Sequence, residues 1–301
     1  MGIDTESARF LVSSKLSGVS FQRCATLGRQ NYFLGNRETR NLLQSFGIDP
    51  QLHPKLLSAH RGFAEPFWEM LGTRELMTID ASDFEGASKV HDMNQPVPDE
   101  WKESFDAVCD VGTLEHIFNF PTAIRSCLTM IKPGGHFMAH TTANNYFGHG
   151  FYQFSPELFF RILSPKNGFQ MERLVAVEYG PRRRWFEVTD PEIIRARVNL
   201  INAFPVLIFV RAKKIATVPV LVEPPQQSDY FQQWNSPPAG PVPGEARPAQ
   251  KTNAKTGRFA RAFLESAPRL ARFLEAFTGS PLIRRWSFRN RQAFTRIRDK
   301  R

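Results

Sequence analysis

The chain has 301 residues, 42% of them hydrophobic and 23% charged, with a formal net charge of +10. That is enough apolar material for a full core, yet no apolar run reaches the ~18 residues expected of a membrane span. Cys24, Cys109 and Cys127 are scattered without a CxxC, which argues against a disulfide framework or a zinc site and for buried thiols in a reducing cytosol.

The charge is unevenly placed. Lys251 to Arg301 holds 14 Lys/Arg and 3 Asp/Glu, a net of +11, so the remainder of the chain is close to neutral. A broad basic face for nucleic acid is therefore not expected on the main body.

Residues 1–20 form an N-terminal arm without the basic-then-apolar plan of a signal peptide, and Phe10-Leu11-Val12 suggests a short helix against a sheet. Phe21 to Gln30 is the first strand and its turn. Only Gly28 stands where nucleotide-binding sheets carry several glycines. Helices follow from Asn36 to about Phe46 and from Glu65 to Leu71. The roughly 45 residues between the first and second strands exceed a simple crossover and could shape a lid.

Leu76 to Asp80 is the second strand and ends on a carboxylate. In nucleotide-binding α/β sheets an acid at that point holds the ribose hydroxyls. Lys89 to Asn94 is the third strand and its exit. Phe105 to Cys109 is an apolar run suited to a strand covered on both faces, ending at Asp110-Val111-Gly112-Thr113, where the backbone can open to a ligand. A helix from Pro121 to Met130 stops at Lys132-Pro133-Gly134-Gly135, and Phe137 to Thr142 is the next strand. Strand, helix and strand make a parallel crossover.

Ser155-Pro156-Glu157 and Asp190-Pro191-Glu192 read as capped helix starts, running to about Leu163 and Leu200. Gln170 to Glu178 and Pro205 to Val210 are the closing antiparallel strands. Arg182-Arg183-Arg184 beside Trp185 has the composition of a solvated loop, with phosphate binding as the functional alternative. Eight prolines between Val218 and Pro248 mark a linker, set at 216–254. Residues 255–301 alternate Phe and Leu with Arg, as an amphipathic basic helical tail would, and suit an anionic membrane surface better than RNA.

The pattern Phe105-Asp106-x-Val108, then Leu114-Glu115-His116-Ile117, then Ile131-Lys132-Pro133-Gly134-Gly135-His136-Phe137, resembles class I S-adenosylmethionine-dependent methyltransferases. The likeness runs through Asn144–Gly150 and Gln153–Leu158, where it resembles a bacterial subgroup often found near cell-surface polysaccharide genes. Leu27-Gly28-Arg29-Gln30 matches that subgroup's variant first motif, in place of the superfamily's glycine-rich one.

The resemblance implies an α/β, doubly wound, mostly parallel seven-stranded Rossmann-like sheet over residues 21–215. It implies S-adenosylmethionine as cofactor, with Asp80 and Asp92 holding the nucleoside, Met93 against the adenine, and Gly28, Asp110 and Gly112 at the methionine part. Methyl transfer to an oxygen or nitrogen of a small acceptor, sugar-containing or lipid-linked, is the expected reaction. His116 is the first choice of base, with Tyr146 and His149 beside the acceptor, the latter on a mobile loop between Gly148 and Gly150. His140, inside a strand, reads as structural. No metal-ligand spacing such as HxxxH occurs. A cytoplasmic protein, membrane-associated through its tail, is expected. The rival readings are a non-catalytic module presenting the basic tail and, less favoured for want of the glycine fingerprint, a dinucleotide-dependent oxidoreductase.

Overall fold

The computed structural model describes residues 2–235 and 286–298. Its centre is a sheet of nine strands, built from β2 (Arg23–Leu27), β4 (Glu75–Asp80), β5 (Lys89–Val90), β6 (Phe105–Val111), β7 (Ile131–Thr142), β8 (Phe169–Glu178), β9 (Arg184–Val188), β10 (Val206–Lys214) and β11 (Phe294–Ile297). The order across it is β11-β9-β8-β10-β7-β6-β2-β4-β5. From β5 to β7 all neighbours are parallel, and from β7 to β11 all are antiparallel.

The seven expected strands are present, and the sheet continues beyond them by two. β9 contains Arg184-Trp185, so the triple-arginine segment is in part strand rather than loop. Trp185 is buried on one face and Phe186 on the other, the alternation that makes an edge ribbon worth pairing. β11 then covers that new edge, with Phe294 opposite Val188.

Two apolar layers sandwich the sheet. On one face α5 (Phe120–Met130) and α6 (Pro156–Ile162) bury Ala123, Ile124, Cys127, Leu128, Phe159 and Ile162. The helical spacing of those residues is what makes this face. On the other face lies α1 (Thr5–Leu16), capped by Asp4, whose carboxylate accepts from the Ser7 N–H at 2.8 Å. Phe10 and Leu11 are fully buried there, each such burial stabilising by about 1.5–3 kcal/mol. The first twenty residues thus contribute a layer of the core rather than an arm. Trp185 Nε1 donates to Glu6, and Tyr179 donates to Asp4 at 2.8 Å, fastening the helix to β8 and β9.

The insertion between the first two long strands is also core. β1 (Gly2–Ile3) pairs in parallel with β3 (Asn31–Tyr32) in a two-stranded sheet. α2 (Asn36–Ser45), α3 (Pro54–Leu57) and α4 (Glu65–Met70) then set Leu42, Leu43, Leu56, Phe67 and Trp68 against α1. A segment that buries this many large side chains is a wall, not a lid.

The helix expected from Asp190 to Leu200 is short: α7 covers Pro191–Ile194, and Arg195 at φ 49° turns the chain out of it. Near the end of the first described stretch, Val220 and Leu221 join the core, and α8 (Ser228–Trp234) docks through the Ser228 N–H on Glu157 at 2.8 Å. Of the expected helical tail, 255–285 lies outside the described residues, as does the linker from 236 to 254. The described part, 286–298, is no helix: Phe288 stacks on Phe186 with centroids 4.0 Å apart, and β11 adds to the sheet. Among the described residues no helix is long and apolar enough to cross a membrane.

Candidate active site

Parallel register puts the strand ends in one row. Leu27 lies opposite both Ile79 and Asp110, and Val90 lies opposite Asp80. Gly28, Asp80, Asp92, Asp110 and Gly112 therefore line the carboxyl edge of four neighbouring strands, the place where open α/β sheets bind ligands. Gly28 at φ 72° and Gly112 at φ 84° both turn in the left-handed region that only glycine enters without strain.

The Leu27-Gly28-Arg29-Gln30 corner is held by its own side chains. Gln30 Nε2 donates to Leu27 O at 2.6 Å and to Gly28 O at 3.3 Å. Arg29 Nε donates to Glu65 at 2.6 Å and Nη1 to Glu85 O at 2.8 Å, while its guanidinium lies over Phe63. Arg29 thus ties the insertion and the loop after β4 to the first strand. Gly28 N donates to Ile79 O at 2.6 Å, and Thr113 Oγ1 donates to Leu27 O at 2.8 Å, closing the corner from both sides.

Asp110 is fully buried. Its Oδ1 accepts from the Thr113 N–H at 2.8 Å and the Leu114 N–H at 3.2 Å, whereas Oδ2 has no hydrogen-bond partner among the described residues. Gln30 Oε1 is likewise buried and unpartnered. Burial, with Glu115 nearby, pushes the Asp110 carboxyl well up from the usual range. Two orphaned acceptors beside the glycine corner suit a cationic group, and an α-ammonium is one.

Asp80 is half-buried, and its Oδ1 accepts only a long 3.3 Å bond from Ser82 N. Asp92 is exposed. Its Oδ1 accepts from Asn94 N at 2.9 Å and Asn94 Nδ2 at 2.7 Å, which holds its carboxyl below the usual range. Met93 is packed in the core with Val97 and Trp101, 5% exposed, so it supports this edge from beneath more than it offers a face.

One strand over, a second constellation forms. Glu115 is 1% exposed. Its Oε2 accepts from Thr141 Oγ1 at 2.9 Å, and Oε1 faces His149 Nε2 at 3.9 Å. The His116 and His149 rings meet edge to face with centroids 4.8 Å apart, and Tyr146 lies 5.7 Å from His149. Burial raises Glu115, lowers His116 and lifts Tyr146 to about 12, so the phenol is a donor at neutral pH.

The loop bearing His149 is fastened rather than free. Phe151 N and Tyr152 N donate to Glu115 O at 2.7 and 3.2 Å, and Tyr152 Oη donates to Phe118 O at 2.6 Å. A Cβ on Gly150 would stand 2.7 Å from Glu115 O. Gln153 Oε1 accepts from Tyr146 N at 3.0 Å, closing the loop on itself.

Sequence reasoning took Glu115 only as the neighbour of the candidate base His116 and missed it as the buried centre of this group. The only signal was its place directly after the Gly112 turn. Asn144 and Asn145 tie the post-β7 loop to Asn202, at 2.7 and 3.0 Å to its Oδ1, and are structural. His140 is structural too, stacked on Phe209 with centroids 4.2 Å apart. Arg184 is taken up by Glu178 at 2.6 Å and Arg183 lies over Tyr179, which leaves no three-arginine phosphate grip.

Beside the Tyr146–Gln153 loop opens a cavity of about 370 Å³. Phe154, Val198, Leu200, Ile208 and Phe294 give it an apolar wall, with Asn144, Gln153 and Ser155 polar. Phe294 comes from β11, far along the chain.

Residues 74–139 match the family model described as a methyltransferase domain. No curated protein matches the chain by sequence. Solved structures similar to it include the branched-chain polyamine synthase of Thermus thermophilus, with 13% identity, 75% of this chain and 60% of that one covered, TM-score 0.37. The chain thus spans about 60% of that enzyme's length. A putative methyltransferase of Bacillus halodurans C-125 gives 12% identity, 71% and 100% coverage, and TM-score 0.39. The N-methyltransferase NodS of Bradyrhizobium japonicum WM9 gives 14%, 70% and 96%, and TM-score 0.37.

The matched segment runs from β4 into β7, and over it the chain is similar to a methyltransferase domain.

Proposed function

We propose that the chain is an S-adenosylmethionine-dependent methyltransferase that methylates an oxygen, or else a nitrogen, of a small acceptor that is sugar-containing or lipid-linked. The observation that carries this is the meeting of Glu115, His116 and His149 one strand away from the Gly28–Asp110 corner. S-adenosylmethionine supplies an activated methyl on a sulfonium, so the protein has to orient the two partners and deal with the acceptor's proton.

In this reading Asp80 holds the ribose hydroxyls, Asp92 lies by the adenine and Met93 supports it, while Asp110 and Gln30 take the ammonium at the Gly28 and Gly112 turns. Their unpaired oxygens support that division. Tyr146 donates a hydrogen bond to the acceptor, and the Glu115–His149–His116 group accepts its proton. An acceptor with an apolar portion fits the Phe154–Leu200–Phe294 wall, which favours a lipid-linked or partly deoxygenated acceptor over a free, fully hydroxylated sugar.

Calorimetric titration of the purified chain with S-adenosylmethionine and then with a dinucleotide tests the reading. Binding of the first alone is expected, and binding of the dinucleotide alone would replace it with the oxidoreductase. Anionic-surface binding by residues 255–301 is a separate proposal. The docking of 286–298 on the domain confines it to 255–285, so vesicle sedimentation has to survive replacement of the arginines of 289–298.

A further inference from the structure

We propose that Glu115, His116 and His149 bind a divalent transition-metal cation, of the ferrous-to-zinc class, whose open coordination positions take the acceptor oxygen. The inference rests on the methyl-transfer reading above and specifies how the acceptor's proton is removed.

The donor set is the first argument. One carboxylate and two imidazoles is a combination that borderline cations favour, whereas magnesium and calcium favour oxygen donors throughout. One ligand atom from each of the three residues lies within 4.8 Å of the others. Donors sharing a cation at ~2.0–2.2 Å stand roughly 3–3.5 Å apart, so the group must close by about 1 Å. The two exposed rings can supply that by rotation, because neither imidazole makes a hydrogen bond with the described residues.

Fixation of the third ligand is the second argument. Glu115 is 1% exposed, and Thr141 Oγ1 holds its Oε2 at 2.9 Å, as an outer partner does for a ligating carboxylate. Oε1 is left facing His149 at 3.9 Å, beyond hydrogen-bond reach. His149 is in turn carried by a loop bonded to the backbone carbonyl of Glu115 itself, with Gly150 allowing the contact. His116 is the next residue in the chain. The spacing of all three is therefore set around one buried residue, while the two rings leave the other side open to solvent and substrate.

A cation there makes the acceptor O–H more acidic, as it does bound water. The O–H bond breaks and its proton passes to water. The oxygen lone pair then forms the bond to the methyl carbon, the carbon–sulfur bond breaks, and its electron pair stays on sulfur as S-adenosylhomocysteine leaves.

The test uses the full chain, stripped with a chelator and dialysed against cobalt(II), read by bound metal and by its visible d–d spectrum. About one bound cobalt per chain is expected, with affinity falling at least about tenfold in His149→Ala and again in His116→Ala. Because His149 is exposed, its variant should fold. Glu115→Gln is accepted only if its circular dichroism is unchanged. Cobalt bound no better by the wild type than by the double histidine variant overturns the site and leaves Glu115–His149–His116 as a plain base. Binding of S-adenosylmethionine, measured separately without metal, keeps the two readings apart. Cofactor binding without cobalt binding removes this inference alone, and cobalt binding without cofactor binding removes the methyl-transfer reading instead.

Discussion

The Gly28–Asp110 corner and the Glu115 shelf lie side by side at the strand ends, yet they are held by different forces. At the corner Gly28, Asp80 and Asp110 each sit at or next to the end of a parallel strand, so ladder register alone fixes them relative to one another. The shelf hangs on single hydrogen bonds: Thr141 to Glu115, Phe151 to Glu115, Gln153 to Tyr146, and Asn202 to Asn144 and Asn145. A ladder cannot be altered at one point without disturbing its neighbours, whereas a loop held by a few bonds can be rebuilt. The part assigned above to the cofactor is thus the rigid one, and the part proposed to face the acceptor is free to differ.

Five substitutions break or sharpen that contrast. Phe294→Ala, at the acceptor side, should cost about 3–5 kcal/mol of stability and raise the acceptor KM while the cofactor affinity holds, because the side chain is core and cavity wall at once. Denaturant melts with cofactor titrations read this, and a parallel loss of cofactor binding would erase the division. Asp110→Ala should cost about 2–3 kcal/mol by stranding the Thr113 and Leu114 N–H groups, and cofactor binding should fall with it.

Asp80→Ala, at the rim of the corner, should leave the melting temperature within a degree or two. It should weaken cofactor binding by about 1.5–3 kcal/mol, the worth of charged hydrogen bonds. Unchanged affinity by calorimetry would reject the ribose assignment.

His140→Phe probes the ground between the two sites. Burial lowers this imidazole to about 3, and neither ring nitrogen has a partner among the described residues. The unfolded chain binds the proton near pH 6.5 and the folded chain does not, so the stability is present above that pH and is lost as pH falls towards 3. Replacement by Phe should recover on the order of 2 kcal/mol near pH 4 and nothing at pH 8. Equal effects at both pH values would mean that packing, not titration, is at work. Gly150→Ala is the mildest change. A side chain at φ 69° against Glu115 O should cost about 1–2 kcal/mol and lower methyl transfer without touching cofactor affinity.

The contrast also explains what could be read from the sequence. Strand ends marked by Asp80, Asp92 and Asp110, and the turn at Gly112, announce themselves locally, through an apolar run that stops on a polar residue. Arg29 did not, because its partners Glu65 and Glu85 are brought to it only by the fold. The same holds for Glu115, which looks like a surface residue until Thr141 and the Gly150 loop close over it. Sequence spacing could not have grouped Glu115, His116 and His149 for the same reason, since His149 arrives from beyond the next strand. The ninth strand was hidden differently: Phe294-Thr295-Arg296-Ile297 lies in a stretch whose arginines and aromatics fit a helical face as readily as an edge strand, and only the exposed side of β9 decides.

Phe294 has one more consequence. Everything else that lines the cavity lies between Ala143 and Ile208. During synthesis, the strand ends that carry Gly28, Asp80 and Asp110 are in hand long before the last wall of the cavity emerges from the ribosome. A product cut short after α8 would still carry Gly28, Asp80 and Asp110, but its cavity would stand open along the side that Phe294 closes.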